Sequence, residues 1–143
     1  MKSGLIFYKP LTPTIRKGRQ MDKKIIVIDD EQDFLDSVKR GLVTSGIKKI
    51  RLEQDPAKAA SAFERGEAYD IALIDVTMPQ MSGIKLLEVI KTKSPSTECI
   101  MVSAVDKAKT EEECMKKGAR DFLVKPVSKE DIISSINRAL KPR

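Results

Sequence analysis

Four short, unbroken apolar runs recur along the chain: Ile25-Ile26-Val27-Ile28, Ile71-Ala72-Leu73-Ile74, Cys99-Ile100-Met101-Val102 and Phe122-Leu123-Val124. Runs of this length suit parallel strands covered on both faces. A fifth run, Ile47 to Leu52, ends in alternation, with Ile50 and Leu52 apolar and Lys49 and Arg51 charged, the pattern of an edge strand with one wetter face. Between the runs the period changes to that of helices. Phe34, Leu35, Val38 and Leu42 keep one face apolar, as do Ile132, Ile133, Ile136 and Leu140. Asp55-Pro56 reads as a cap followed by a first helical residue, with Ala59 and Phe63 inward. Ser82 caps a helix carrying Ile84, Leu87 and Ile90. The 106–117 segment is helical in propensity but weakly amphipathic, and Gly118 stops it.

Strand and helix thus alternate five times. That order predicts an α/β fold, a parallel five-stranded sheet with helices on both faces and right-handed crossovers. The flavodoxin-like order 2-1-3-4-5 suits five strands, a (βα)5 three-layer sandwich, and puts the 47–52 strand at an edge.

At 143 residues the chain is expected to form one domain without a metal or disulfide staple. Hydrophobic residues at 41% and charged residues at 34% exclude a generally disordered chain, and no apolar run approaches a membrane span. Histidine is absent, which excludes a Ser-His-Asp triad, a His-ligated zinc and a phosphohistidine on this chain. Of the net charge of +6, residues 1–20 hold +5 through Lys2, Lys9, Arg16, Lys17 and Arg19, leaving residues 21–143 at +1. Residues 1–21 are therefore expected to be a basic N-terminal extension outside the fold, with Met21 a natural beginning, and residues 22–143 the domain. An arm for nucleic acid or another acidic surface is the competing reading, and nucleic acid is not expected. Leu5-Ile6-Phe7-Tyr8 is cut short by Lys9-Pro10, too short for a secretory signal. With Cys99 and Cys114 forming no CxxC, this predicts a cytoplasmic protein with no membrane partner.

Ligands of open parallel sheets bind beyond the carboxyl ends of the strands, where the strand order reverses. Asp29 and Asp30 follow the first run, Asp75 the third, Ser103 the fourth, and Lys125-Pro126 the last. With the first and third strands adjacent, Asp29, Asp30 and Asp75 converge. Three carboxylates repel unless compensated. Mg²⁺, a hard cation that binds one or two carboxylates plus phosphate, supplies the compensation. Lys125 adds a point positive charge and Ser103 a rotatable hydroxyl. The set describes phosphoryl transfer to a carboxylate. Singly, each residue has a plainer role: a helix cap at Asp29-Asp30, a turn at Asp75, a strand end at Ser103, a solvated loop lysine at Lys125.

The chain resembles a response-regulator receiver domain of two-component signalling, of the chemotaxis type. The resemblance is carried by Ile25–Glu31, Ile74-Asp75-Val76-Thr77-Met78-Pro79-Gln80-Met81-Ser82-Gly83, Met101-Val102-Ser103-Ala104 and Gly118–Pro126, over about residues 22–140. It implies that Asp75 takes a phosphoryl group from a histidine kinase or a histidine phosphotransfer protein. Asp30, Asp75 and the Thr77 carbonyl would bind Mg²⁺, with Asp29 acting on it mainly through water. Lys125 would pair with Asp75 and then with the phosphoryl group. Ser103 would swing to a phosphoryl oxygen, and the Thr77 and Ala104 N–H groups would complete the cradle. A cis Lys125–Pro126 bond is implied, and Phe122 matches the aromatic that turns inward, although a core Phe explains it equally well. The 106–140 surface would then contact a downstream partner or a second receiver. Neither Thr77 nor Val105 is suited to orient attacking water, so slow self-dephosphorylation is expected.

An aspartyl phosphatase of the haloacid dehalogenase type would need Asp-x-Asp where Asp29-Asp30-Glu31 stands, and a cofactor-binding flavodoxin would need a phosphate loop there. A degenerate receiver serving only as a binding module is disfavoured, since all five site residues are present. Lys141-Pro142-Arg143 closes the chain, which leaves a stand-alone receiver and a fragment of a longer protein both open.

Overall fold

In the computed structural model, which describes residues 22–143, each apolar run becomes a strand. Five strands and five helices alternate: β1 (Lys24–Ile28), α1 (Gln32–Thr44), β2 (Lys49–Glu53), α2 (Pro56–Glu64), β3 (Ile71–Asp75), α3 (Gly83–Lys93), β4 (Glu98–Ser103), α4 (Ala108–Lys116), β5 (Asp121–Val124) and α5 (Lys129–Ala139). All pairings are parallel, in the order β2-β1-β3-β4-β5. The expected extension over residues 1–21 lies outside the described residues.

The unbroken apolar runs follow from two cores. Ile26 and Ile28 of β1 face one core, with Phe63 of α2, Leu86, Leu87 and Ile90 of α3 and Cys114 of α4. Ile25 and Val27 face the other, with Leu35, Val38 and Leu42 of α1 and Ile132, Ile133 and Ile136 of α5. A strand apolar at every position is what two covered faces require, each buried aliphatic side chain contributing about 1.5–3 kcal/mol. β2 is half-buried along most of its length, as an edge strand should be. So is β5, at all four positions, although its sequence predicts cover on both faces. It has one neighbour, β4, and the helix before it covers it thinly: Cys114 is the single buried side chain of α4.

The caps appear where expected. Asp55 accepts from the Ala57 N–H and Ser82 from the Lys85 N–H, at 2.9 and 3.1 Å. Helix α4 begins two residues later than its sequence pattern. Gly118 follows it at φ +103°, a backbone conformation that favours glycine.

Register then sets the chemistry. Ile28 of β1 pairs with Ile74 of β3, so Asp29 and Asp75 each stand one residue beyond a paired position. Asp75 pairs with Val102, and Ser103 with Val124, the residue before Lys125. Every sequence-predicted site residue except Phe122 therefore lies at or just past the carboxyl ends of four adjacent strands.

Candidate functional site

Three carboxylates meet at this edge. Asp29, Asp30 and Asp75 each offer an oxygen within 4.8 Å of the others, the one such acidic group among the described residues. Asp29 has no exposed surface and Asp75 is 5% exposed. Burial pushes the Asp75 carboxyl up to about 7, and the neighbouring Asp29 charge adds to the rise. Lys125 and the Thr77 N–H act in the opposite direction. Asp29 is also raised, by burial first, against hydrogen bonding from the Glu31 N–H and Lys125. Three clustered hard oxygens, with Asp29 and Asp75 both resisting ionisation, lack positive charge. That donor set fits Mg²⁺.

The backbone beside Asp75 is tightly packed. The Thr77 N–H donates to Asp75 Oδ1 at 3.3 Å, in the turn that leads to α3. Gly83 N–H donates to the Val76 carbonyl at 2.7 Å, and a Cβ on Gly83 would lie 2.0 Å from the Asp75 carbonyl oxygen. Gly83 closes the Ile74–Gly83 motif, and its role emerges only from this packing. Its only signal is a glycine at the first residue of a helix, one after a Ser cap.

Lys125 reaches the cluster but does not rest on Asp75. Its Nζ donates to Asp29 Oδ2 at 2.9 Å and to Glu31 Oε1 at 3.2 Å, and lies 4.3 Å from the centre of the Phe34 ring. The expected Lys125–Asp75 pair is thus replaced. Two carboxylates, Asp29 and Glu31, together satisfy two of the ammonium protons. The sequence does not mark Glu31 and Phe34 as partners of Lys125, because neither is at a strand end.

Ser103 is buried, with its hydroxyl turned onto its own loop: it donates to the Val105 carbonyl at 2.8 Å and accepts from the Val105 N–H at 3.0 Å. Ala104 and Val105 are exposed. Phe122 is half-buried against the core that holds Met101 and Cys114. The Lys125–Pro126 peptide is cis. The helix-cap reading of Asp29-Asp30 does not describe the site: Glu31 occupies the cap position of α1 and its side chain makes no cap bond, while Asp29 Oδ1 takes the Glu31 N–H at 2.8 Å. Beside Lys125, a cleft of about 500 Å³ opens between α1 and α5, lined by Phe34, Val38, Leu42, Ile132 and Ile133 among others.

A family model described as the response regulator receiver domain matches residues 25–137. The chemotaxis protein CheY of Listeria monocytogenes is 29% identical over 118 residues, covering 82% of this chain and 98% of that protein. A cyclic di-GMP phosphodiesterase of Thermotoga maritima is 34% identical over 119 residues, 83% of this chain, yet the match spans only 31% of that protein's length. Among solved structures, the CheX–CheY–BeF3–Mg complex of Borrelia burgdorferi has the same fold, with a TM-score of 0.80 at 24% identity over 86% of this chain and 92% of that one.

Proposed function

The chain belongs to the response regulator receiver domain family, and from that premise we propose that Asp75 is its phosphoacceptor. One observation carries the reading: Asp75 is buried in a three-carboxylate cluster at the carboxyl edge of the sheet, where burial first and the Asp29 charge second push its pKa up to about 7. In this reading an Asp75 carboxylate oxygen attacks phosphorus and forms an acyl phosphate, while the donor's bond to phosphorus breaks and the donor keeps that electron pair. The donor is a histidine kinase or a histidine phosphotransfer protein, since this chain contains no histidine. Asp29, Asp30 and Asp75, with the Thr77 carbonyl, would hold Mg²⁺, which when bound offsets the clustered negative charge and shields an approaching phosphate. Lys125 and the N–H groups of Thr77 and Ala104 would donate to the phosphoryl oxygens.

Phosphorylation would then compete for the Ser103 hydroxyl. Two bonds to Val105 hold it, each worth about 1 kcal/mol, and a charge-assisted bond to a phosphoryl oxygen is roughly twice as strong. Turning Ser103 inward leaves room for Phe122, and the 106–140 surface shifts between two populations. Thin anchoring of α4 supports this, with Val105 and Met115 exposed at 47% and 42%. That surface is where a downstream protein or a second receiver would bind. The domain acts as a signalling element and not a turnover enzyme. No helix among the described residues is long and apolar enough to cross a membrane.

Incubation with acetyl phosphate and Mg²⁺, read by intact mass, tests the reading. One added phosphoryl group that Asp75→Asn abolishes supports it. Multiple turnover on a generic phosphate ester would assign the site to a phosphatase instead. Hydrogen exchange that is unchanged over 103–122 on beryllofluoride addition would remove the switch.

A further inference from the structure

Lys125 is held by more than the site needs. Asp29 is fully buried, and its two oxygens are divided: Oδ1 takes the Glu31 N–H at 2.8 Å and Oδ2 takes the Lys125 ammonium at 2.9 Å. Asp29 is therefore a fixed pivot. The same ammonium meets Glu31 at 3.2 Å and the Phe34 ring at 4.3 Å. Asp75 shares the carboxylate cluster with Asp29 but makes no ion pair with Lys125. Glu31 stands at the cap position of α1, where a side chain commonly binds the helix N–H groups, yet its carboxylate serves Lys125 instead.

We propose that Glu31 and Phe34 form a latch that parks Lys125 away from Asp75, so that its passage from Glu31 to Asp75 is a built-in resistance to phosphorylation. The proposal rests on Asp75 being the phosphoacceptor. An ammonium can donate to two carboxylates here and gains attraction from the ring face, so the parked position is a distinct, favourable state. Glu31 is 66% exposed, which makes the latch weak and reversible, within the range of surface ion pairs. Glu31 and Phe34 are positioning residues in this scheme, acting through Lys125.

Beryllofluoride titration of the full chain in saturating Mg²⁺, followed by amide NMR shifts in 103–122, tests the latch. Glu31→Gln is expected to lower the midpoint about twofold to fivefold, the span that an exposed ion pair covers. Glu31→Asp keeps the charge but is one methylene too short to reach Nζ, so it should match Glu31→Gln. Phe34→Leu should give a smaller shift in the same direction. A purely structural role for these residues would weaken binding or leave it unchanged, and either result overturns the latch. A wild-type midpoint for Glu31→Asp overturns it too, because the effect would then be one of charge alone. If the wild-type chain neither binds beryllofluoride nor gains a phosphoryl group from acetyl phosphate, the phosphoacceptor reading falls and the latch with it. Wild-type binding with an unaltered Glu31→Gln midpoint removes the latch alone.

Discussion

At the amino end of the sheet, Glu98 takes hydrogen bonds from Arg120 at 2.6 Å and Arg143 at 2.9 Å, and Arg120 goes on to the Arg138 and Lys141 carbonyls. Beside it the buried Thr97 hydroxyl donates to the Tyr69 carbonyl at 2.6 Å and meets Ser94 Oγ at 2.7 Å. At the carboxyl end, Asp29, Asp30 and Asp75 crowd together with Lys125 turned toward Glu31. The acids respond oppositely. Burial raises Glu98, but the two arginines outweigh it and hold its carboxyl below the ordinary range. At Asp75 burial and Asp29 act together, and Lys125 does not overcome them. One end uses polar groups to close the structure. The other leaves charge uncompensated, which is the condition that makes an edge receptive to a cation and a phosphoryl group.

The largest effect expected is at Gly83. Gly83→Ala drives a methyl group into the Asp75 carbonyl, and chemical denaturation should show a loss of about 3 kcal/mol together with loss of phosphorylation. At the opposite end, Arg120→Ala leaves Glu98 with the Arg143 ion pair alone and removes the guanidinium that donates to the Arg138 and Lys141 carbonyls, of which Arg138 keeps the Lys141 N–H. It should cost about 2 kcal/mol while leaving the yield of phosphorylated protein unchanged. If Arg120→Ala impairs phosphorylation at matched stability, the division between the two ends is wrong.

Asp75→Asn should do the reverse of a core mutation and stabilise the metal-free protein, by about 2 kcal/mol at pH 5, one pKa unit being about 1.4 kcal/mol. Folded Asp75 keeps its proton up to about pH 7, whereas the unfolded carboxyl releases it near 3.8. Between those values the folded state binds more protons, so this group makes stability fall as pH rises. The gain from Asp75→Asn should therefore vanish below pH 4. Glu98 has the opposite sign: its pKa is depressed on folding, so its contribution is present above 4.5 and is lost as pH falls through the folded value. Melting curves from pH 3 to 8 resolve both limbs, and Mg²⁺ should flatten only the upper one. The smallest change is Thr97→Val, which leaves the Tyr69 carbonyl and Ser94 hydroxyl short of a partner and should cost about 1 kcal/mol at every pH.

Much of this was legible in the chain itself. Ile25–Ile28 and Ile71–Ile74 announce strands buried on both faces, and Asp55-Pro56 and Ser82 mark the starts of α2 and α3. The convergence of Asp29, Asp30 and Asp75 follows from strand order alone. Partner choice within the site was not legible. Lys125 has Glu31 as well as Asp29 and Asp75 to choose from, and nothing in a linear pattern says which one an ammonium takes. The turn of Ser103 onto Val105 is equally hidden, because a hydroxyl finds its acceptor by rotation. Gly83 looks like any helix-start glycine until the Asp75 carbonyl is seen to fill the place of its Cβ.

The order of strands and helices, and the edge at which the acids gather, were therefore determined by the sequence, since side-chain periodicity and parallel crossovers leave few other arrangements. The resting position of Lys125, the raised pKa of Asp75 and the close fit at Gly83 were decided by tertiary structure. They depend on distances of a few ångströms between residues up to 96 positions apart, and both hydrogen bonding and desolvation act only at that range.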